Sequence, residues 1–208
     1  MIKSRELTFT TDASDMPDIL KEAESFASRL GLSGKEERRF RLLVEETTEM
    51  LKTITGDHNI QISFIEDEKD IAIHLETDTL MNLEMHDKLI SVSKSGKNES
   101  AKGILGKIRE AFEFAAMLPN SNTTDSWVLY GSPAMIMGVP ADSSSISMTE
   151  TMCWSLSCYR ENLQGDDSPK KEEAWDELEK SVVANLADDV RIGIVDSHVV
   201  MDVIRNKA

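Results

Sequence analysis

The chain has 208 residues, 40% hydrophobic and 29% charged, a composition that suits one large globular domain or two small ones. Its formal net charge of −15 repels phosphate backbones and argues against nucleic acid as a partner. Cys153 and Cys158, spaced Cys-x4-Cys with no histidine beside them, give neither metal-ligand spacing nor a disulfide framework. Met1 is followed at once by polar sequence, so no signal peptide is expected. The longest apolar run, Trp127 to Pro140, is short for a membrane span and is broken by Gly131, Pro133 and Gly138. A cytoplasmic protein that does not enter the membrane is expected.

Arg5 to Thr10 alternates and reads as a first strand. Turn and cap residues at Thr11, Asp12, Ser14 and Asp15 then lead into a helix from Met16 to Leu30. Ile19, Leu20, Ala23, Phe26, Ala27 and Leu30 share one face of that helix, and Gly31 stops it. Ser33, with Glu36 three residues on, predicts a capping box for a second helix, Lys35 to Ile54. Phe40, Leu43, Val44, Thr47, Leu51 and Ile54 recur on it at spacings of three and four, an apolar stripe about 100° wide. Glu45, Glu46 and Glu49 lie off that stripe or at its margin. Charge runs of this kind are most often solvated faces; beside an apolar stripe they can also line a cleft.

Gly56-Asp57 ends the long helix. Ile60, Ile62 and Phe64 alternate, as do Ile71, Ile73 and Leu75, with the polar run Glu66 to Asp70 between them: an antiparallel hairpin with one buried face. Residues 78 to 100 are irregular and polar. Ala101 to Met117 is helical in pattern, through Ile104, Leu105, Ile108, Phe112 and Ala115. Pro119 to Thr124 is a loop by composition, and Trp127 to Pro140 reads as a buried strand or an apolar loop. Met148 to Leu163 predicts a helix carrying Trp154, Leu156 and Tyr159, and Gln164 to Lys171 a linker. Glu172 to Ala187 predicts one helix with Trp175, Leu178, Val182 and Leu186 on its face. Val190, Ile192 and Ile194, a turn at Asp196-Ser197, then Val199, Met201 and Val203 form a second hairpin.

This order of elements resembles the anti-sigma-factor serine kinases and, more widely, the GHKL ATPase superfamily of histidine kinases, gyrase and heat-shock chaperones. The resemblance rests on Gly31-Leu32-Ser33 between two helices, on Leu43-Val44-Glu45-Glu46, on the hairpin ending at Asp78, and on Leu178 to Val203 as a closing helix and hairpin. It covers about half the chain. It implies an α+β fold: a two-layer α/β sandwich of the Bergerat type, with a mixed, mostly antiparallel sheet covered on one face by helices. A single domain is expected, with its core in 1–82 and 172–208 and a helical or irregular insertion, 83–171, where the family has its ATP lid.

The family's site residues carry over unevenly. Its long helix has a Glu that orients or deprotonates the attacking group, and an Asn four residues later that ligates Mg²⁺. Glu46 stands at the Glu position, so Met50 stands at the Asn position, where a thioether is a poor ligand for a hard cation. In the other register Glu45 pairs with Glu49. The family's Asp-x-Gly-x-Gly, whose Asp takes the adenine amino group, keeps only Asp78, because Thr79-Leu80-Met81-Asn82 follows. Its glycine-rich phosphate turn has candidates in Gly96, Lys97, Gly103 and Gly106, where free backbone N–H groups would meet phosphate oxygens. Gly165 is a lesser candidate, with no glycine partner. ATP is the cofactor the resemblance implies, and the sequence supplies no convincing Mg²⁺ ligand.

Two readings follow. One is a regulator that keeps the scaffold, binds ATP weakly or not at all, does not catalyse, and acts through a protein partner. Trp127, Tyr130, Trp154 and Tyr159 supply aromatic surface for that partner or for a homodimer, although each aromatic taken singly is more simply core. The other is an active ATP- and Mg²⁺-dependent serine kinase of a partner protein. A third reading, an unrelated enzyme with its site in the insertion, finds no support: His58, His74, His86 and His198 show neither metal nor triad spacing, and no Gly-x-Ser-x-Gly occurs.

Overall fold

The computed structural model describes residues 2–10, 15–55, 59–78, 106–108, 150–165, 171–195 and 198–207. The helix end expected at Gly56-Asp57, the turn expected at Asp196-Ser197, most of the 101–117 helix and the Trp127–Pro140 run lie outside these residues. Seven strands form one sheet: β1 (Ile2–Lys3), β2 (Leu7–Phe9), β3 (Ile60–Glu66), β4 (Asp70–Asp78), β5 (Glu150–Ser155), β6 (Asp189–Val195) and β7 (His198–Asn206). The order across the sheet is β1-β3-β4-β7-β6-β5, with β2 also on β3, and every pairing described is antiparallel. Helices α1 (Met16–Arg29), α2 (Lys35–Thr55), α3 (Leu156–Gly165), α4 (Lys171–Lys180) and α5 (Val182–Leu186) make the second layer. The fold is thus an α+β two-layer sandwich, in which the late hairpin β6-β7 joins the early hairpin β3-β4 through β4 and β7.

One hydrophobic core fills the space between the layers. It takes Ile60, Ile62 and Phe64 from β3, Ile71, Ile73 and Leu75 from β4, and Val199, Met201 and Val203 from β7. The helices answer with Ile19, Ala23, Phe26 and Ala27 from α1 and Phe40, Leu43, Val44 and Leu51 from α2. Period-2 strands against period-3.6 helices is the pattern the sequence carries. Phe26, Phe40 and Phe64 meet at the centre with ring centroids 5.5–6.0 Å apart, in tilted and edge-on pairs that suit the aromatic quadrupole.

The strand expected over Arg5 to Thr10 is shorter, Leu7–Phe9, and a second short strand, Ile2–Lys3, precedes it. Lys3 lies opposite Ile65 and Leu7 opposite Ile62, so β1-β2 carries one residue more than β3 does, a bulge. Ser4 bridges it: its amide donates to the Phe64 carbonyl, and its hydroxyl accepts from the Phe64 amide, each at 2.8 Å. Helix α1 ends as expected at Gly31, with φ +71°; Leu32 N–H bonds the Ala27 carbonyl and Gly31 N–H that of Ser28, a Schellman closure. The capping box does not form. Gly34, at φ +58°, makes the turn, Arg38 N–H reaches its carbonyl, and Glu36 instead pairs with Arg39 and with Arg205 of β7.

Two further expectations are corrected. Met148 to Leu163 is not one helix but strand β5 followed by α3. Ser155 ends the strand and caps the helix, its hydroxyl accepting from Cys158 N–H at 3.2 Å, and Asp189 Oδ1 of β6 accepts from Ser157 N–H at 3.0 Å. Part of the stretch read as insertion therefore belongs to the sheet. The helix expected over 172–187 is broken at Ser181, which is extended (φ −79°, ψ 118°) and whose hydroxyl accepts from Ala184 N–H at 3.2 Å. The break resets the helical phase, so Val183 and Ala184 face the core and Val182 is exposed.

These caps predict an order of stability. Asp189→Ala strips a charged, buried acceptor from the α3 N-terminus and from Arg191, and should lower the free energy of unfolding by about 2 kcal/mol. Ser181→Ala removes one neutral cap and should cost about 1 kcal/mol. Urea titration of both variants checks the order; equal losses would count against Asp189 as the larger anchor.

Candidate functional site

On α2 the buried positions span a wide arc, from Met50 and Leu43 through Thr47, Phe40 and Leu51 to Val44 and Thr48. Glu46 sits at the Met50–Leu43 margin of this arc and is half-buried, while Glu45 and Glu49 are exposed. Of the acidic side chains on this stretch, Glu46 is therefore the one held against the body of the protein. Met50, one turn on, is 8% exposed and part of the core. Thr48 satisfies its hydroxyl on the Val44 carbonyl at 2.8 Å, whereas the buried hydroxyl of Thr47 has no partner among the described residues.

Asp78 is the last residue of β4 and pairs through its backbone register with His198 of β7. The preceding Thr77 is buried and donates its hydroxyl to the Asn59 carbonyl at 2.9 Å, tying the start of β3 to the end of β4. Gly96, Lys97 and Gly103 lie outside the described residues. Gly106 lies in a short helical stretch, 106–108, in which it is buried, Lys107 is exposed and Ile108 is fully buried in the main core. Lys107 comes near enough to Tyr159 of α3 to oppose the rise that burial imposes on that phenol's pKa. Lys107 therefore lies near α3.

Mg²⁺ does not fit the residues at the α2 position. Met50, which the resemblance would set where a metal-ligating Asn stands, is a thioether buried in the core, and among the described residues no group of three or more His, Cys, Asp or Glu is placed to hold a metal.

A second polar group was not legible as a cluster in the sequence. His74 of β4 lies opposite Asp202 of β7, with its Nδ1 2.6 Å from Asp202 Oδ1 and its Nε2 2.7 Å from Glu76 Oε1. The Asp202 hydrogen bond raises the imidazole pKa above 6.5; burial opposes this, and the Asp202 charge and the Glu76 hydrogen bond and charge add to the rise. The His74-x-Glu76 spacing, two residues on one strand face, was the visible signal, but Asp202 enters only through the register of β4 with β7.

No protein-family model matches this chain, and no curated protein matches it. Among the described residues no helix is long and apolar enough to cross a membrane.

The burial pattern on α2 predicts opposite outcomes one turn apart. Glu46→Ala, at the margin, should change stability by no more than about 0.5 kcal/mol. Met50→Asn puts an amide into the core and should cost about 2–3 kcal/mol, without giving Mg²⁺ a usable site. Chemical denaturation with and without Mg²⁺ reads both; Mg²⁺-dependent stabilisation of Met50→Asn would show that the position does face a metal site.

Proposed function

We propose that the chain is a regulatory protein built on a scaffold like that of the histidine-kinase-type ATPases, acting by binding a protein partner and not by catalysis. The observation that carries this reading is Met50. At the position where the resemblance calls for an oxygen ligand to Mg²⁺, an apolar side chain completes the core. Phosphoryl transfer depends almost wholly on positioned metal and phosphate, so losing that ligand removes the turnover step before it removes nucleotide affinity. The joined hairpins, α2 across the sheet and Asp78 at the end of β4 support the scaffold half of the reading. The loss of the two glycines after Asp78 supports weak ATP binding or none.

The alternative is an active ATP- and Mg²⁺-dependent serine kinase of the anti-sigma type. The half-buried setting of Glu46 favours it, since a base must be held in place. The net charge of −15 fits a protein partner with a basic face and disfavours nucleic acid in either case.

Calorimetry with ATP and Mg²⁺ should give little or no heat, and the wild-type chain should show no hydrolysis above background. Binding in the micromolar range that Asp78→Asn abolishes would instead favour the nucleotide site. Phosphorylation of a co-purifying partner that is lost in Glu46→Ala would overturn the non-catalytic reading.

A further inference from the structure

The sheet has a second face, turned away from the core, which carries the alternate residues of the central strands. Across it, Ser63 of β3 stands opposite His74 of β4, His74 opposite Asp202 of β7, and Asp202 opposite Arg191 of β6. Val200 and Ile204, on the same side of β7 as Asp202, are buried yet lie outside the main core cluster. His74 thus stands in the middle of a polar row, at the seam where the early and late parts of the chain meet.

Hydrogen counting fixes the state of its ring. Both nitrogens lie within 2.7 Å of a carboxylate oxygen, and an ionised carboxylate can only accept. A neutral imidazole has one N–H, so one of these contacts would set a ring lone pair against a carboxylate oxygen. With both carboxylates ionised, only the imidazolium makes two hydrogen bonds here. The neighbours on the adjoining strands leave this arrangement intact. From β3, Ser63 and Gln61 are uncharged. From β6, the Arg191 guanidinium is drawn to Asp189 Oδ2 at 2.9 Å. From β7 come Asp202 itself and, near the end of the seam, His198.

We propose that His74 is a proton-operated clasp across the β4–β7 seam: protonated, it ties the late hairpin to the early one, and deprotonated, it releases that tie. Loss of the proton leaves Glu76 and Asp202 facing each other across a neutral ring that can satisfy only one of them. The carboxylates then repel, and the hairpin β6-β7 loosens while the α1-α2-β3 half stays packed. Because the partners hold the folded imidazole above its ordinary value, the tie is whole below pH 6.5 and fades as pH rises through the raised value. The clasp is a property of the sheet and does not depend on whether the chain binds nucleotide.

The test is a proton NMR titration of the His74 ring in the full chain, with amide exchange followed on β7 and β3 and corrected for intrinsic base catalysis. The ring should titrate above 6.5. As the pH passes that midpoint, β7 amides should lose protection several-fold more than β3 amides. His74→Gln should abolish this difference, and His198→Gln should leave it in place. A ring that titrates at or below 6.5, or a β7 response that persists in His74→Gln or vanishes in His198→Gln, would overturn the clasp. Should His74→Gln fail to fold, the wild-type titration and exchange profile decide alone.

Discussion

Strand β4 pairs with β7 over the full nine residues of each, from Asp70 opposite Asn206 to Asp78 opposite His198. Everything else in the fold depends on that ladder. Without it the early hairpin with α1 and α2 would be one small unit, and the late hairpin with α3 to α5 another, each with a half-built core. Bringing together strands this far apart in sequence carries a chain-closure cost that grows only logarithmically with separation, about 0.6 kcal/mol per doubling. Against that stand a continuous ladder and the burial of Ile71, Ile73, Leu75, Val199, Met201 and Val203 on one face. Charged contacts fasten one end of the seam, where Asp70 meets Asn206: Arg205 to Glu36 at the start of α2, and Lys207 to Glu66 beside the β3–β4 turn. In the same turn, Asp67 accepts from the Lys69 and Asp70 amides, which holds its carboxyl below its usual pKa.

Helix ends in the late half are secured by side chains from other elements. Asp189 leaves β6 to take an amide at the start of α3. Arg160 of α3 answers by donating to the carbonyls of Ala184 and Asp188, at 2.6 and 3.0 Å, just where α5 gives way to β6. These reciprocal contacts satisfy orphan groups that short helices cannot satisfy themselves. At α5 they add to the local cap by which Ser181 begins that helix after the break from α4. A cap supplied from a distant residue fixes the angle between elements as well as their ends.

The acidic surface and the site follow different logics. Most carboxylates keep the chain negative and solvated. Glu46 differs because helix geometry puts it beside Leu43 and Met50 instead of among the exposed acids. Asp202 and Glu76 differ because the sheet sets them around one imidazole. In both places an ordinary acidic residue is set apart by its neighbours: apolar side chains beside Glu46, and the His74 imidazole between Asp202 and Glu76.

The residues alone determined the periodic parts. The stripe on α2, the face of α1, the glycine stop at Gly31 and both hairpins could be read directly, because local periodicity and one turn residue suffice to set them. The α+β sandwich followed from their order. Tertiary structure decided what depends on partners distant in sequence. Ser155 became a cap and not mid-helix because Asp189 arrives beside it. Ser4 precedes the strand expected from Arg5, yet it carries a bulge, because β3 supplies Phe64 opposite it. Glu46 and Met50 were legible as candidates, but their unequal burial depends on what packs over α2. His74 looked like one scattered histidine until the β4–β7 register brought Asp202 to it, and a register between strands so far apart in sequence is fixed by the packed core, not by any local pattern.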